Sequence, residues 1–162
     1  MTALGPEVAQ RRVALGRAAA VAGLVIAVDQ IVKHTVGTSI APGEVTHVVG
    51  SVVELVYVRN TGVAFGVLSG GGAVIYLVTA VALIALVSFL VARPGRRLLW
   101  LPTGMLVGGA VSNLIDRIVR GSVIDFIKLP HWPAFNVADM SITFGVIILV
   151  FVIEAGARAG GD

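Results

Sequence analysis

The stretch Gly108–Asp139, GGAVSNLIDRIVRGSVIDFIKLPHWPAFNVAD, sets three acids and two asparagines between two long apolar segments. Pro130 and Pro133 stop any helix between those segments, so the run before and the run after must be separate helices. Charged side chains beside hydrocarbon cost about 2.5–3.5 kcal/mol each at a helix centre, so acids at such positions need partners or a purpose. This stretch is the candidate active site.

Working outward, Met140 to about Ala155 is one apolar span, and Leu98 to about Ile115 is another. Before the latter lies Arg93-Pro94-Gly95-Arg96-Arg97, a loop short enough to require an antiparallel return. Ala73–Ala92 is uncharged and mostly apolar, close to the roughly 20 residues a helix needs to cross hydrocarbon. The first span runs from Ala18 to about Val36, preceded by Arg11, Arg12 and Arg17. It resembles a signal peptide, but Asp29, Gln30 and Lys33 occupy the place of a small-residue cleavage site, which favours an uncleaved anchor. Residues 37–72 carry turn formers around two β-branched runs, Val45–Val49 and Val52–Val58, which read as short strands. The predicted fold is an all-α membrane protein, residues 1–162 forming one domain. It has four transmembrane helices (18–36, 73–92, 98–115, 140–155), a small sheet between the first two and an active-site loop over 116–139.

Composition agrees with that class. Of 162 residues, 57% are hydrophobic and 13% charged, with a mean hydropathy of +0.97, far more apolar than a soluble domain. The net charge of +3 comes from cations flanking apolar runs, without a basic stripe interleaved with aromatics, so no nucleic-acid partner is expected. Zero cysteines exclude a disulfide, a thiolate nucleophile and a Cys-based metal site. His34, His47 and His131 lack zinc spacing, and no P-loop or G-x-S-x-G is present. Neither metal nor cofactor is expected.

Four spans put both termini on one side, together with Arg11, Arg12, Arg17, Arg93, Arg96, Arg97 and Arg158, seven of the twelve cations. The positive-inside rule makes that side cytoplasmic. The strand-rich segment and the acidic stretch then face outward.

Asp125 and Asp139 fall at the outer ends of antiparallel spans, and the prolines between them let the chain double back. Two close carboxylates share a proton, so that one serves as base and the other as acid, the chemistry of an aspartic peptidase. Against this stands a helix cap: Asn136-Val137-Ala138-Asp139 has capping-box spacing. Spacing alone leaves the two readings balanced, and they are compatible. The helix N-terminus favours the anion at Asp139 and leaves the proton to Asp125. Asp116 and Arg120 are spaced for a structural ion pair, as are Asp29 and Lys33. Asn113 lies one turn deeper, where an amide needs a partner. Gly104, Gly108 and Ser112 form a close-packing stripe. Arg59 to Gly66 reads as a tight turn. A small ion- or proton-coupled carrier is the alternative, because acids in membrane helices also mark ion pathways.

The ordered blocks Asp29-Gln30 with Lys33, Asn60-Thr61-Gly62 with Ala64-Phe65-Gly66, Gly109-Ala110 with Asn113 to Arg117, Val123 with Asp125-Phe126, and Phe135 to Asp139 resemble the lipoprotein signal peptidase family, signal peptidase II. The resemblance covers most of the chain. It implies a bacterial plasma-membrane aspartic endopeptidase, without metal or cofactor, that cleaves prolipoproteins just before a diacylglyceryl-modified cysteine. It maps the catalytic dyad onto Asp125 and Asp139 and supporting roles onto Asn60, Asn113, Arg117 and Asn136, with Asp29 and Asp116 behind them. It also implies an extracytoplasmic sheet that cradles the substrate. Met140 stands where many members have a serine, which bears on a hydroxyl at that position and not on the dyad. The expected partners are lipidated prolipoproteins and membrane lipids, and the expected state is a monomer.

Overall fold

The computed structural model describes residues 5–50, 52–62 and 72–158, with side chains from 77 onward in the last segment. Its elements are α1 (Pro6–Ser39), β1 (Val45–Val49), β2 (Val53–Asn60), α2 (Gly72–Ala92), α3 (Trp100–Arg120), β3 (Val123–Lys128) and α4 (Val137–Arg158). The Ala64-Phe65-Gly66 block and the rest of its turn lie outside the described residues.

The helices are longer than the apolar runs that predict them. α1 begins at Pro6, since proline at the first helical position costs no hydrogen bond. Arg11, Arg12 and Arg17 therefore ride on the helix. α3 continues to Arg120 and ends on Gly121, whose φ of 71° is the left-handed cap conformation, its N–H bonded to Arg117 O. α1 and α4 are each long and apolar enough to cross a membrane, and Leu77–Ala92 is a shorter apolar run. At 1.5 Å per residue, the 22 residues of α4 reach about 33 Å, the scale of a hydrocarbon core. The outer faces are inverted relative to a soluble bundle: Leu24, Ile31, Leu77, Ile84 and Phe151 are each at least 64% exposed.

The inner faces are small or polar. Ala14, Ala18 and Ala22 line one buried edge of α1, followed by Asp29 and Lys33. Against it runs the stripe Gly104, Gly108 and Ser112 of α3. A Cβ at Gly108 would stand 2.8 Å from Ala22 O, and one at Gly104 2.6 Å from Ala18 O, so only glycine lets these backbones meet. Gly109 does the same toward α4, where a Cβ would stand 2.5 Å from Ala138 O.

The sheet differs from the expected two-stranded segment between the first helices. It has three antiparallel strands in the order β1-β2-β3, and the third comes from Val123–Lys128, read in sequence as loop. Val-Ile-Asp-Phe-Ile-Lys is β-prone yet bounded by glycine and proline, and pairing with β2 decides its state. The pairing sets Val58 opposite Asp125.

Candidate active site

Asp125 sits on β3 with 2% of its surface exposed. Asn60 lies two residues beyond Val58, the residue opposite Asp125, and therefore on the same face of the sheet. Its Nδ2 donates to Asp125 Oδ2 at 2.9 Å. Its own Oδ1 accepts the N–H of Gly62, which fixes the amide's orientation.

After β3 the chain folds back through Pro130 and Pro133. Phe135 forms a bridge with Ile127, its N–H donating to Ile127 O at 3.0 Å and its carbonyl accepting from Ile127 N at 2.8 Å. This return brings Asn136 beneath Asp125. The fully buried Asn136 donates Nδ2 to Asp125 Oδ1 at 2.7 Å. Its Oδ1 accepts the N–H of Asp139 at 2.8 Å, and Asp139 Oδ2 accepts the N–H of Asn136 at 3.3 Å. This is the reciprocal capping box. Asp139 Oδ1 is free of the cap and accepts Asn113 Nδ2 at 2.8 Å. The cap therefore occupies one carboxylate oxygen of Asp139 and leaves the other to Asn113.

Each oxygen of the two carboxylates receives one donor. Burial raises the Asp125 carboxyl above its ordinary range; the Asn60 hydrogen bond opposes this and the nearby charge of Asp139 adds to it. Asp139 is partly exposed at the start of α4.

Beneath the acids lies a second layer centred on Lys33. Its ammonium, fully buried, contacts Asp29 Oδ2 at 2.6 Å and Asp116 Oδ2 at 2.7 Å and donates to Asn113 Oδ1 at 3.0 Å. Asp116 also pairs with Arg120, as its spacing predicts, and accepts from Gln30. The expected i,i+4 pair of Asp29 and Lys33 is present, but it is one edge of a larger cluster. Its two acids reach forward. Asp29 Oδ1 accepts the N–H of Ala138 at 2.8 Å, and Asp116 Oδ2 accepts that of Ile124 at 3.3 Å. Those are the residues immediately before Asp139 and Asp125. One ammonium therefore organises the backbone entering both positions.

Arg117 stands apart. Its Nη1 turns back to Asn113 O at 3.4 Å, and neither carboxylate is among its hydrogen-bond partners. Sequence reasoning also missed Gln30 and Ser112 as supports, although Ser112 Oγ donates to Asp29 at 2.7 Å. Lys33 had a signal, a cation inside an apolar run, but its i,i+4 neighbour satisfied it too easily. Among the described residues, no three His, Asp or Glu side chains converge as a metal site.

Residues 21–154 match the family model described as Signal peptidase (SPase) II. A lipoprotein signal peptidase of Moorella thermoacetica is 47% identical over 138 residues, which cover 83% of this chain and 92% of that protein. One from Shouchella clausii is 40% identical over 141 residues, 85% of this chain and 93% of that one. A bacterial membrane enzyme determined by the in meso method at 1.9 Å is 32% identical and superimposes with a TM-score of 0.78, covering 86% and 93% of the two chains. Matched along most of its length by model, sequence and structure, the chain belongs to the signal peptidase II family, whose members are membrane peptidases of lipoprotein processing.

Proposed function

We propose that this chain is an aspartic endopeptidase that removes the signal peptide from diacylglyceryl-modified prolipoproteins, cutting just before the lipid-modified cysteine. The observation that carries this reading is the pair Asp125 and Asp139, joined through Asn136 at one end of the helical bundle and supplied with a donor on every oxygen. Asp139 is the anionic member and takes a proton from the attacking water. Asp125, buried and shifted toward its neutral form, gives its proton to the scissile carbonyl oxygen as the water oxygen bonds to carbon. Collapse of the resulting gem-diol breaks the C–N bond. The proton held by Asp139 passes to the leaving nitrogen, and Asp125 recovers one from the diol hydroxyl. Asn60, Asn113 and Asn136 hold the acids in register, and Arg117 is free to meet the substrate backbone.

The chain acts in the bacterial plasma membrane as a monomer with four spans and cytoplasmic termini, and its dyad and sheet lie at the extracytoplasmic face. A signal peptide held by its own apolar helix and two acyl chains presents its cut site at that depth. The sheet offers an extended segment a place to lie. Asp29 and Asp116 gather at the same end as the dyad and are neutralised by Lys33 and Arg120, rather than being strung through the membrane as a carrier's pathway requires.

The test is purified protein in detergent with a diacylglyceryl-modified precursor and its unlipidated control. Cleavage of the lipidated form alone is expected. Asp125→Asn and Asp139→Asn should each fold and lose about 10²–10⁴-fold or more in rate. Full activity in either variant sinks the dyad, and equal cleavage of both precursors sinks the lipid requirement.

A further inference from the structure

At the end of the bundle opposite the acids, the start of α1 and the α2–α3 connection border an open cavity of about 560 Å³, lined by Gln10, Val13, Arg17, Arg96, Arg97 and Trp100 among others. This is the size of a small-ligand site, and its charge is one-sided. Arg17, Arg96 and Arg97 line it, with Arg11, Arg12 and Arg93 on the same elements outside it, and none of the six is in a salt bridge among the described residues. Arg158 is occupied by Glu154.

Two of the arginines have other tasks. Arg96 donates Nη2 to Ile153 O at 2.5 Å, capping carbonyls near the end of α4. Arg93 lies over the ring of Phe89. Arg17 stands 5.7 Å from the Trp100 ring centroid, a contact that holds it at the cavity while leaving its N–H donors available. Arg97 is exposed beside it. The Nε of Arg96, buried against α4, has no hydrogen-bond partner among the described residues.

One turn further along the same seam, Leu15, Ala18, Leu90 and Val107 line an apolar groove of about 150 Å³. A positively charged notch beside a tryptophan thus lies about one helical turn from a groove of hydrocarbon character. We propose that this is a binding site for an anionic phospholipid of the leaflet opposite the dyad. Its phosphate is held by Arg17 and Arg97, and part of an acyl chain lies along α1 and α3.

Trp100 reports on the site directly. The chain has two tryptophans, so Trp132→Phe leaves Trp100 as the single tryptophan, excited selectively at the red edge of the absorption band. This protein is titrated in detergent micelles with phosphatidylglycerol brominated near the carboxyl end of its chains, and separately with equally brominated phosphatidylcholine. Saturable quenching several-fold stronger with the anionic lipid is expected. Unbrominated phosphatidylglycerol should reverse it, whereas inorganic phosphate and phosphatidylcholine should not. Arg17→Gln with Arg97→Gln should abolish the preference, and Arg11→Gln with Arg12→Gln, which removes the same charge outside the cavity, should keep it. Equal quenching by the two lipids in the unmutated cavity overturns the site. Displacement by inorganic phosphate shows a free-anion site instead. Equal loss in both double variants reduces the effect to diffuse attraction.

Discussion

Asn136 donates its side-chain amide to Asp125 across 2.7 Å while its backbone N–H is held by Asp139. One residue therefore ties the strand acid to the helix acid, and its two functions can be separated by substitution.

Serine at position 136 can still cap α4, but it carries no amide for Asp125. Asn136→Ser and Asn136→Ala are both expected to lower kcat by about 10²-fold, the cost of misplacing a reacting group by roughly an ångström. Only the alanine variant should lose a further ~1 kcal/mol in denaturant unfolding, because it lacks the cap. A serine variant with native kcat would show that the amide contact is dispensable for chemistry.

The pH profile should respond to Asn60. Burial raises the Asp125 carboxyl, and the Asn60 hydrogen bond pulls it back toward the ionised form. Removing that donor in Asn60→Ala lifts it further, so the proton is retained to higher pH. Activity that needs this proton falls as pH rises through the upper apparent pKa of the coupled acids. The alkaline limb of kcat should therefore move to higher pH in the variant, whatever its effect on the maximum. A shift toward acid would contradict the assignment of the proton to Asp125.

Gly108 and Gly109 face different helices, which allows a contrast. Alanine at 108 would press on Ala22 O and Val25 of α1, and alanine at 109 on Ala138 O and Ile142 of α4. Each should cost about 1–3 kcal/mol of stability by overpacking. Gly109→Ala should in addition depress kcat strongly, because it displaces the turn that carries Asp139. Thermal melting beside steady-state rates checks both, and equal rates in the two variants would oppose this view of α4.

Lys33→Met leaves Asp29 and Asp116 buried without their shared cation. Loss of one partner from such a cluster costs about 3–5 kcal/mol. Adding Asp29→Asn and Asp116→Asn should restore part of the stability but little of the activity, since the backbone entering Asp125 and Asp139 is then held less firmly. Recovery of full activity in the triple variant would confine Lys33 to a structural role.

Helices were legible in the sequence because apolar runs and their arginine borders are local signals. The capping box at Asn136, the pair of Asp116 with Arg120 and the glycine stripe are likewise written in short spacings. β3 was not legible: six residues between Gly121 and Pro130 are stabilised as a strand chiefly by β2, more than sixty positions earlier in the chain. The second contacts of Lys33 were hidden for the same reason, since Asp116 and Asn113 reach it only when α1 crosses α3 at the glycines. Arg117 shows the converse, because helical spacing places it one turn from Asn113 but says nothing of where a long side chain turns.

The bond from Ala138 N–H to Asp29 has a bearing on biosynthesis. Asp29 belongs to α1, and Ala138 opens a helix translated more than a hundred residues after it. Until that later helix has been threaded into the membrane and seated against the first, Asp139 has no fixed position opposite Asp125. On the proposed dyad, a chain stalled before that step would carry Asp125 without its partner acid and an Asp29 Oδ1 without its backbone donor, and cutting power would arrive only with the closing step of assembly.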